Sequence, residues 1–96
     1  MAQLTVVATI IAKEDKVEFL KKELLKLVEL TKTEQGCIGY TLHQDNENPA
    51  HFLMYENWES EELLEVHKNN TALTQFVATT QDSIAQFIVN KMTILA

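Results

Sequence analysis

The chain has 96 residues, 46% of them hydrophobic, with 14 acidic against 8 basic side chains and a formal net charge of −6. That length gives a single domain over residues 1–96, with a core modest enough that a partner subunit would help it. All eight basic residues are lysines, and an acidic chain without arginine is poorly equipped for nucleic acid or for clamping a strongly anionic substrate.

Leu4 to Ala12 is rich in Val, Ile and Thr and reads as a strand. Its two faces are almost equally apolar, with Leu4, Val6, Ala8 and Ile10 opposed to Val7 and Ile11, which predicts a central position in a sheet. From Lys16 to about Glu34 the period becomes helical, with a stripe of Val17, Leu20, Leu24, Leu27 and Val28. Asp15 and Glu18 have capping-box spacing, and Gly36 suits the left-handed residue just past the helix end. Six lysines and five acids fall between Lys13 and Lys32, a mixture that reads as a solvated, internally paired helix face.

Cys37 to Gln44 alternates as a strand, Asp45-Asn46-Glu47-Asn48-Pro49 is turn-forming, and His51 to Trp58 is the returning strand of a hairpin. Ser60, followed by Glu61 and Glu62, caps a second helix that runs to about Asn69. A short helical piece over Thr71 to Thr79 follows, and Ile84 to Leu95 closes the chain as a strand.

This β-α-β-β-α-β order predicts an α+β fold of ferredoxin-like type, a four-stranded antiparallel sheet with its helices on one side. The sheet is apolar on both faces: Phe52 and Met54 oppose Leu53 and Tyr55, while Phe87 and Val89 oppose Ile88, Met92 and Ile94. Helices can cover one face only, so a homodimer packed sheet against sheet is expected.

The single cysteine, Cys37, has no partner for a disulfide or a zinc site and reads as an inert thiol. His43 and His51 could meet across the hairpin, but no third ligand accompanies them, so a surface or interface pair is expected and no metal. The chain shows neither the basic flank and apolar run of a signal peptide nor a membrane-spanning stretch, so a soluble cytoplasmic domain is expected.

Trp58 ends the third strand nine residues before His67, so a helix folding back over the sheet would bring both to one cavity. Glu56 shares a face with Phe52, Met54 and Trp58 and should be partly buried. A structural tie is favoured for it over acid–base chemistry, and a raised pKa would mark it as functional.

The run Glu34-Gln35-Gly36-Cys37-Ile38-Gly39-Tyr40-Thr41-Leu42-His43-Gln44-Asp45, then Asn48-Pro49, Tyr55-Glu56-Asn57-Trp58 and His67, resembles the antibiotic biosynthesis monooxygenase family, which includes small quinol monooxygenases. The pattern covers essentially the whole chain, with Phe76 and the last strand in place. The resemblance implies a dimeric α+β barrel with a pocket in each subunit between sheet and helices. It also implies oxygen chemistry that often needs no flavin, haem or metal, so no cofactor is expected.

On that footing His67 is the candidate base and Trp58 the wall and N–H donor, as catalytic residues. Tyr40, Glu56, Met54 and Phe76 are the substrate-binding candidates. An imidazole with an ordinary pKa near ~6.5 can deprotonate a phenol or enol, whose electron-rich anion then reduces dioxygen.

Two branches of the family fit less well. Haem-degrading members place an asparagine on the first strand, where this chain has only Leu, Thr, Val, Ala and Ile. Polyketide oxygenases use an asparagine four residues before the tryptophan and an arginine, where this chain has Met54 and no arginine.

The expected activity is therefore cofactor-independent oxygenation of a small electron-rich aromatic, quinol-type or enolisable compound. An isomerase or tautomerase using the same base and a non-catalytic ligand-binding dimer are the alternatives.

Overall fold

The computed structural model describes residues 3–96. Strand β1 (Leu4–Ala12) leads through a 3-10 turn at Glu14–Lys16 into helix α1 (Val17–Thr31). Strands β2 (Cys37–Gln44) and β3 (His51–Trp58) form a hairpin, helices α2 (Glu61–Lys68) and α3 (Thr71–Thr80) follow, and strand β4 (Ile84–Met92) comes last. The sheet order is β2-β3-β1-β4 and every neighbouring pair is antiparallel. This is the ferredoxin-like α+β arrangement, with β1 central as its two apolar faces require.

The period-2 pattern fixes which side chains meet the helices. Val6, Ala8, Ile10 and Ala12 of β1 and Phe52, Met54 and Trp58 of β3 are buried with Leu20, Leu24 and Leu27 of α1 in one core. Phe52, Trp58, Leu20 and Leu24 are wholly enclosed, each contributing roughly 1.5–3 kcal/mol by leaving water. The opposite face of the sheet has no covering element, and Tyr55, Ile88 and Met92 there are all more than 40% exposed. Edge strand β4 is exposed on its helix-facing side as well, at Phe87 and Val89.

Three local expectations are corrected. Helix α1 ends at Thr31 with Lys32 as its C-cap, short of Glu34, so Gly36 is reached through a turn and is not the residue just past the helix end. Asp15 does not cap α1: it lies inside the 3-10 turn, closed by Lys16 N–H donating to the Lys13 carbonyl at 2.9 Å, and Lys16 stands at the N-cap without a side-chain bond. The last strand stops at Met92 and not at Leu95, because Met92 already pairs with Thr5 beside the start of β1 and the partner strand runs out. His51 sits 3.5 Å from Asp45 in its own turn, and His43 is exposed on β2.

The caps of α2 form as the sequence suggests. Ser60 accepts a bond from the Leu63 N–H at 3.2 Å, and Gly36 adopts a φ of 87° in the connection out of α1. Gly36 is needed for a second reason. A Cβ there would lie 2.5 Å from Leu63 Cδ1 and 2.6 Å from Leu63 Cβ, so only glycine lets α2 approach the end of α1 this closely. Gly36→Ala is expected to destabilise the fold by about 1–3 kcal/mol, from backbone strain and displacement of α2, as read by urea unfolding.

Candidate functional site

Between the helix-facing side of the sheet and the three helices lies a cavity of about 470 Å³, with Phe87, Val89 and Lys91 of β4 in its lining. Its walls are mostly aliphatic, from Val6, Ala8 and Ile10 of β1 and Leu24 and Leu27 of α1. Tyr40, Met54, Glu56, His67 and Phe76 also line it, so β2, β3, α2 and α3 bring five of the six sequence candidates to one space.

His67 is 4% exposed, and burying an imidazole requires a partner for its N–H. Its Nδ1–H donates to Glu34 Oε1 at 2.8 Å. A carboxylate can only accept, so this contact places a ring hydrogen on Nδ1 and turns the Nε2 edge away from Glu34. Glu34 lies in the turn after α1, where the Glu34 N–H bonds to the Thr31 carbonyl at 2.9 Å. The sequence reading missed this residue as part of the site. The available signal was its place at the head of the run into Gly36 that carries the family resemblance, the turn that aims its side chain at α2.

Trp58 is the sixth candidate and stands behind the cavity instead of in its wall. Its indole is wholly buried and lies against the His67 ring, with centroids 4.6 Å apart and planes tilted by 32°. Its N–H donates to Glu56 Oε1 at 2.9 Å, so that donor is already engaged by the protein. Tyr40 packs edge-on against both rings, 5.7 Å from His67 and 6.4 Å from Trp58.

Burial and the neighbouring Glu56 push the Tyr40 phenol well above its usual range, so it stays a neutral hydroxyl at the cavity wall. Burial likewise raises Glu56 from an ordinary carboxylate to about 7, opposed by the Trp58 N–H bond. Among the described residues no cation lies within ion-pair distance of Glu56. The two lysines at the cavity's edge are committed elsewhere: Lys68 to Glu65 at 3.1 Å and Lys91 to Glu61.

Among the described residues no group of three His, Cys, Asp or Glu side chains is placed to hold a metal ion. No helix is long and apolar enough to cross a membrane.

The fold is thus a ferredoxin-like α+β domain with an apolar chamber under its helices, walled by an oriented histidine and a carboxyl without a counter-charge. The family model for antibiotic biosynthesis monooxygenase matches residues 3–79. The crystal structure of PA3566 from Pseudomonas aeruginosa is 32% identical and superposes with a TM-score of 0.96, covering 100% of this chain and 97% of that one. The crystal structure of an antibiotic biosynthesis monooxygenase is 26% identical with a TM-score of 0.91, covering 97% of this chain and 99% of that one. A Synechocystis protein is 28% identical over 83 residues, and the match takes in 86% of this chain but 56% of that longer protein. The chain belongs to the antibiotic biosynthesis monooxygenase family.

The raised Glu56 pKa has a consequence for folding. The native state holds a proton that the unfolded chain has released, so between pH 4.5 and about 7 the unfolded state binds fewer protons and stability falls as pH rises. Relative to Glu56→Gln, the wild type is expected to lose about 3 kcal/mol across that interval, seen as converging, then crossing, unfolding midpoints.

Proposed function

We propose that this protein is a cofactor-independent monooxygenase that inserts oxygen from O2 into a small electron-rich aromatic or quinol-type compound. The observation that carries the reading is the oriented imidazole: His67 is fixed through Nδ1 by Glu34, and the ring lines an apolar chamber large enough for a bicyclic ligand.

His67 takes the phenolic proton of the substrate. The resulting arenolate is electron-rich enough to pass an electron to dioxygen, the step that the family's oxygen chemistry requires. Apolar walls favour this sequence by excluding water from the reactive anion and holding a flat ring by contact alone. Met54 and Phe76 supply that contact, and the Tyr40 hydroxyl offers a neutral donor. Trp58 acts by holding His67 and Glu56 in place from behind. Substrates bearing phosphate are disfavoured, since neither rim lysine is free of an acidic partner.

The test is oxygen uptake with a panel of quinols and hydroxyarenes. A quinol in the panel is expected to support uptake above its enzyme-free rate, and His67→Ala to reduce it by about 10²–10⁴-fold. Uptake unchanged in that variant removes the assigned base. Turnover of a carbonyl compound that persists without oxygen would instead select the isomerase reading.

We also propose that the protein works in the cytoplasm as a homodimer through the bare sheet face. Val7, Leu53, Tyr55, Ile88 and Met92 share that face, an apolar area that a lone subunit would leave in water. Sedimentation is expected to give twice the 11.0 kDa subunit mass at micromolar concentration, and Ile88→Glu to give the single subunit.

A further inference from the structure

We propose that Glu56 is a catalytic acid of the cavity, delivering the proton that allows the oxygen–oxygen bond of a substrate hydroperoxide to break. The proposal rests on the monooxygenase reading and assigns the second half of its reaction. Glu56 stands in the middle of β3, opposite Val6 of β1 and Tyr40 of β2, and lines the same chamber as His67. Its Oε1 accepts the Trp58 N–H at 2.9 Å, and this is its one side-chain hydrogen bond among the described residues. The other oxygen is left to carry a proton and present it to a ligand.

The titratable groups around this carboxyl are Tyr40 and Cys37 on β2, both raised by burial and also by its charge, and His67 and Lys68 on α2 and Lys91 on β4, which line the same chamber, with Glu34 behind His67. Helices α1 and α3 contribute no titratable group to the lining. Lys68 and Lys91 are bonded to Glu65 and Glu61, and Glu34 is bonded to His67, so none of the three forms an ion pair with Glu56. Burial accordingly keeps a substantial share of the carboxyl protonated near neutrality. A carboxylic acid beside an imidazole base gives the chamber one proton acceptor and one proton donor, both held by the same indole.

The reaction balances without an outside reductant. His67 removes the phenolic proton, and the arenolate passes one electron to dioxygen. The radical pair combines to form a carbon–oxygen bond at the ring, and the proton on His67 completes the hydroperoxide. His67 then takes the hydrogen from that carbon as a proton, and the carbon–hydrogen electron pair becomes the new carbonyl π bond. The oxygen–oxygen bond breaks, and the departing hydroxide receives the Glu56 proton and leaves as water. The proton on His67 returns to Glu56 through solvent. The substrate loses four electrons and dioxygen gains four, with one oxygen atom in the quinone product and one in water.

Glu56→Gln keeps an acceptor for the Trp58 N–H and removes the acidic proton. With the quinol that the wild type turns over, three quantities are followed: oxygen consumed, oxygenated product formed and hydrogen peroxide released. The variant is expected to continue consuming oxygen while product formation falls about 10²–10⁴-fold and peroxide accounts for the oxygen lost. Product formation by the wild type should decline as pH rises through about 7, and this limb should be absent from the variant. Trp58→Phe supplies a second arm, because losing the N–H that favours the carboxylate should move the limb to higher pH. Product and oxygen in the wild-type ratio in Glu56→Gln, or a limb that Trp58→Phe leaves in place, overturns the assignment while the monooxygenase reading stands. No uptake by the wild type with any compound of the panel overturns both.

Discussion

The contact between His67 and Glu34 joins the turn after α1 to the last turn of α2, and the geometry of the chamber depends on it. A nearly enclosed imidazole cannot leave its N–H without a partner, and the carboxylate that satisfies it comes from 33 residues earlier in the chain. The rest of the local structure serves that meeting. Gly36 turns the chain with a positive φ and, lacking a Cβ, lets Leu63 of α2 come against it. Ser60 starts α2 at the right residue, and Trp58 provides the flat surface on which the imidazole rests. The bond that positions the base is thus also a bond that holds α2 over the sheet.

The same packing separates two titratable groups by environment. His67 has a carboxylate to complement its N–H, whereas Glu56 has a single neutral N–H donor and aliphatic surroundings. One contact fixes the orientation of the imidazole, and the other environment disfavours a bare carboxylate, so the chamber holds a hydrogen-bonded ring beside a carboxyl raised to about 7. The lysines that could have discharged Glu56 are held by glutamates on α2. An apolar chamber with this pair suits chemistry in which protons move and charge on the ligand is transient.

The helices cover only one side of the sheet. Three helices shield one face, and the other keeps apolar side chains in water from β1, β3 and β4. Strand β4 is half-exposed on both sides, at Phe87 and Val89 towards the chamber and at Ile88 and Met92 away from it. An edge strand of that composition invites a partner. Phe87, Val89 and Lys91 of that strand line the chamber, so β4 belongs both to the exposed edge and to the chamber wall.

Sequence by itself determined the elements and the faces. Alternation over Leu4–Ala12, Cys37–Gln44 and His51–Trp58, the helical stripe ending near Gly36 and the Ser60 cap are local patterns, and local backbone preference reads them correctly. The family resemblance supplied the chamber and the importance of Trp58 and His67. Tertiary structure decided the contacts between distant segments: Glu34 with His67, the Trp58 N–H turned to Glu56 and away from the cavity, and the end of β4 where β1 runs out. It also set the surroundings of Glu56, whose strand position indicated burial but could not show that the lysines lining the chamber were already paired. Periodicity reports which way a side chain points; what waits there depends on segments tens of residues away, and the proton affinity of a buried group is set by those neighbours.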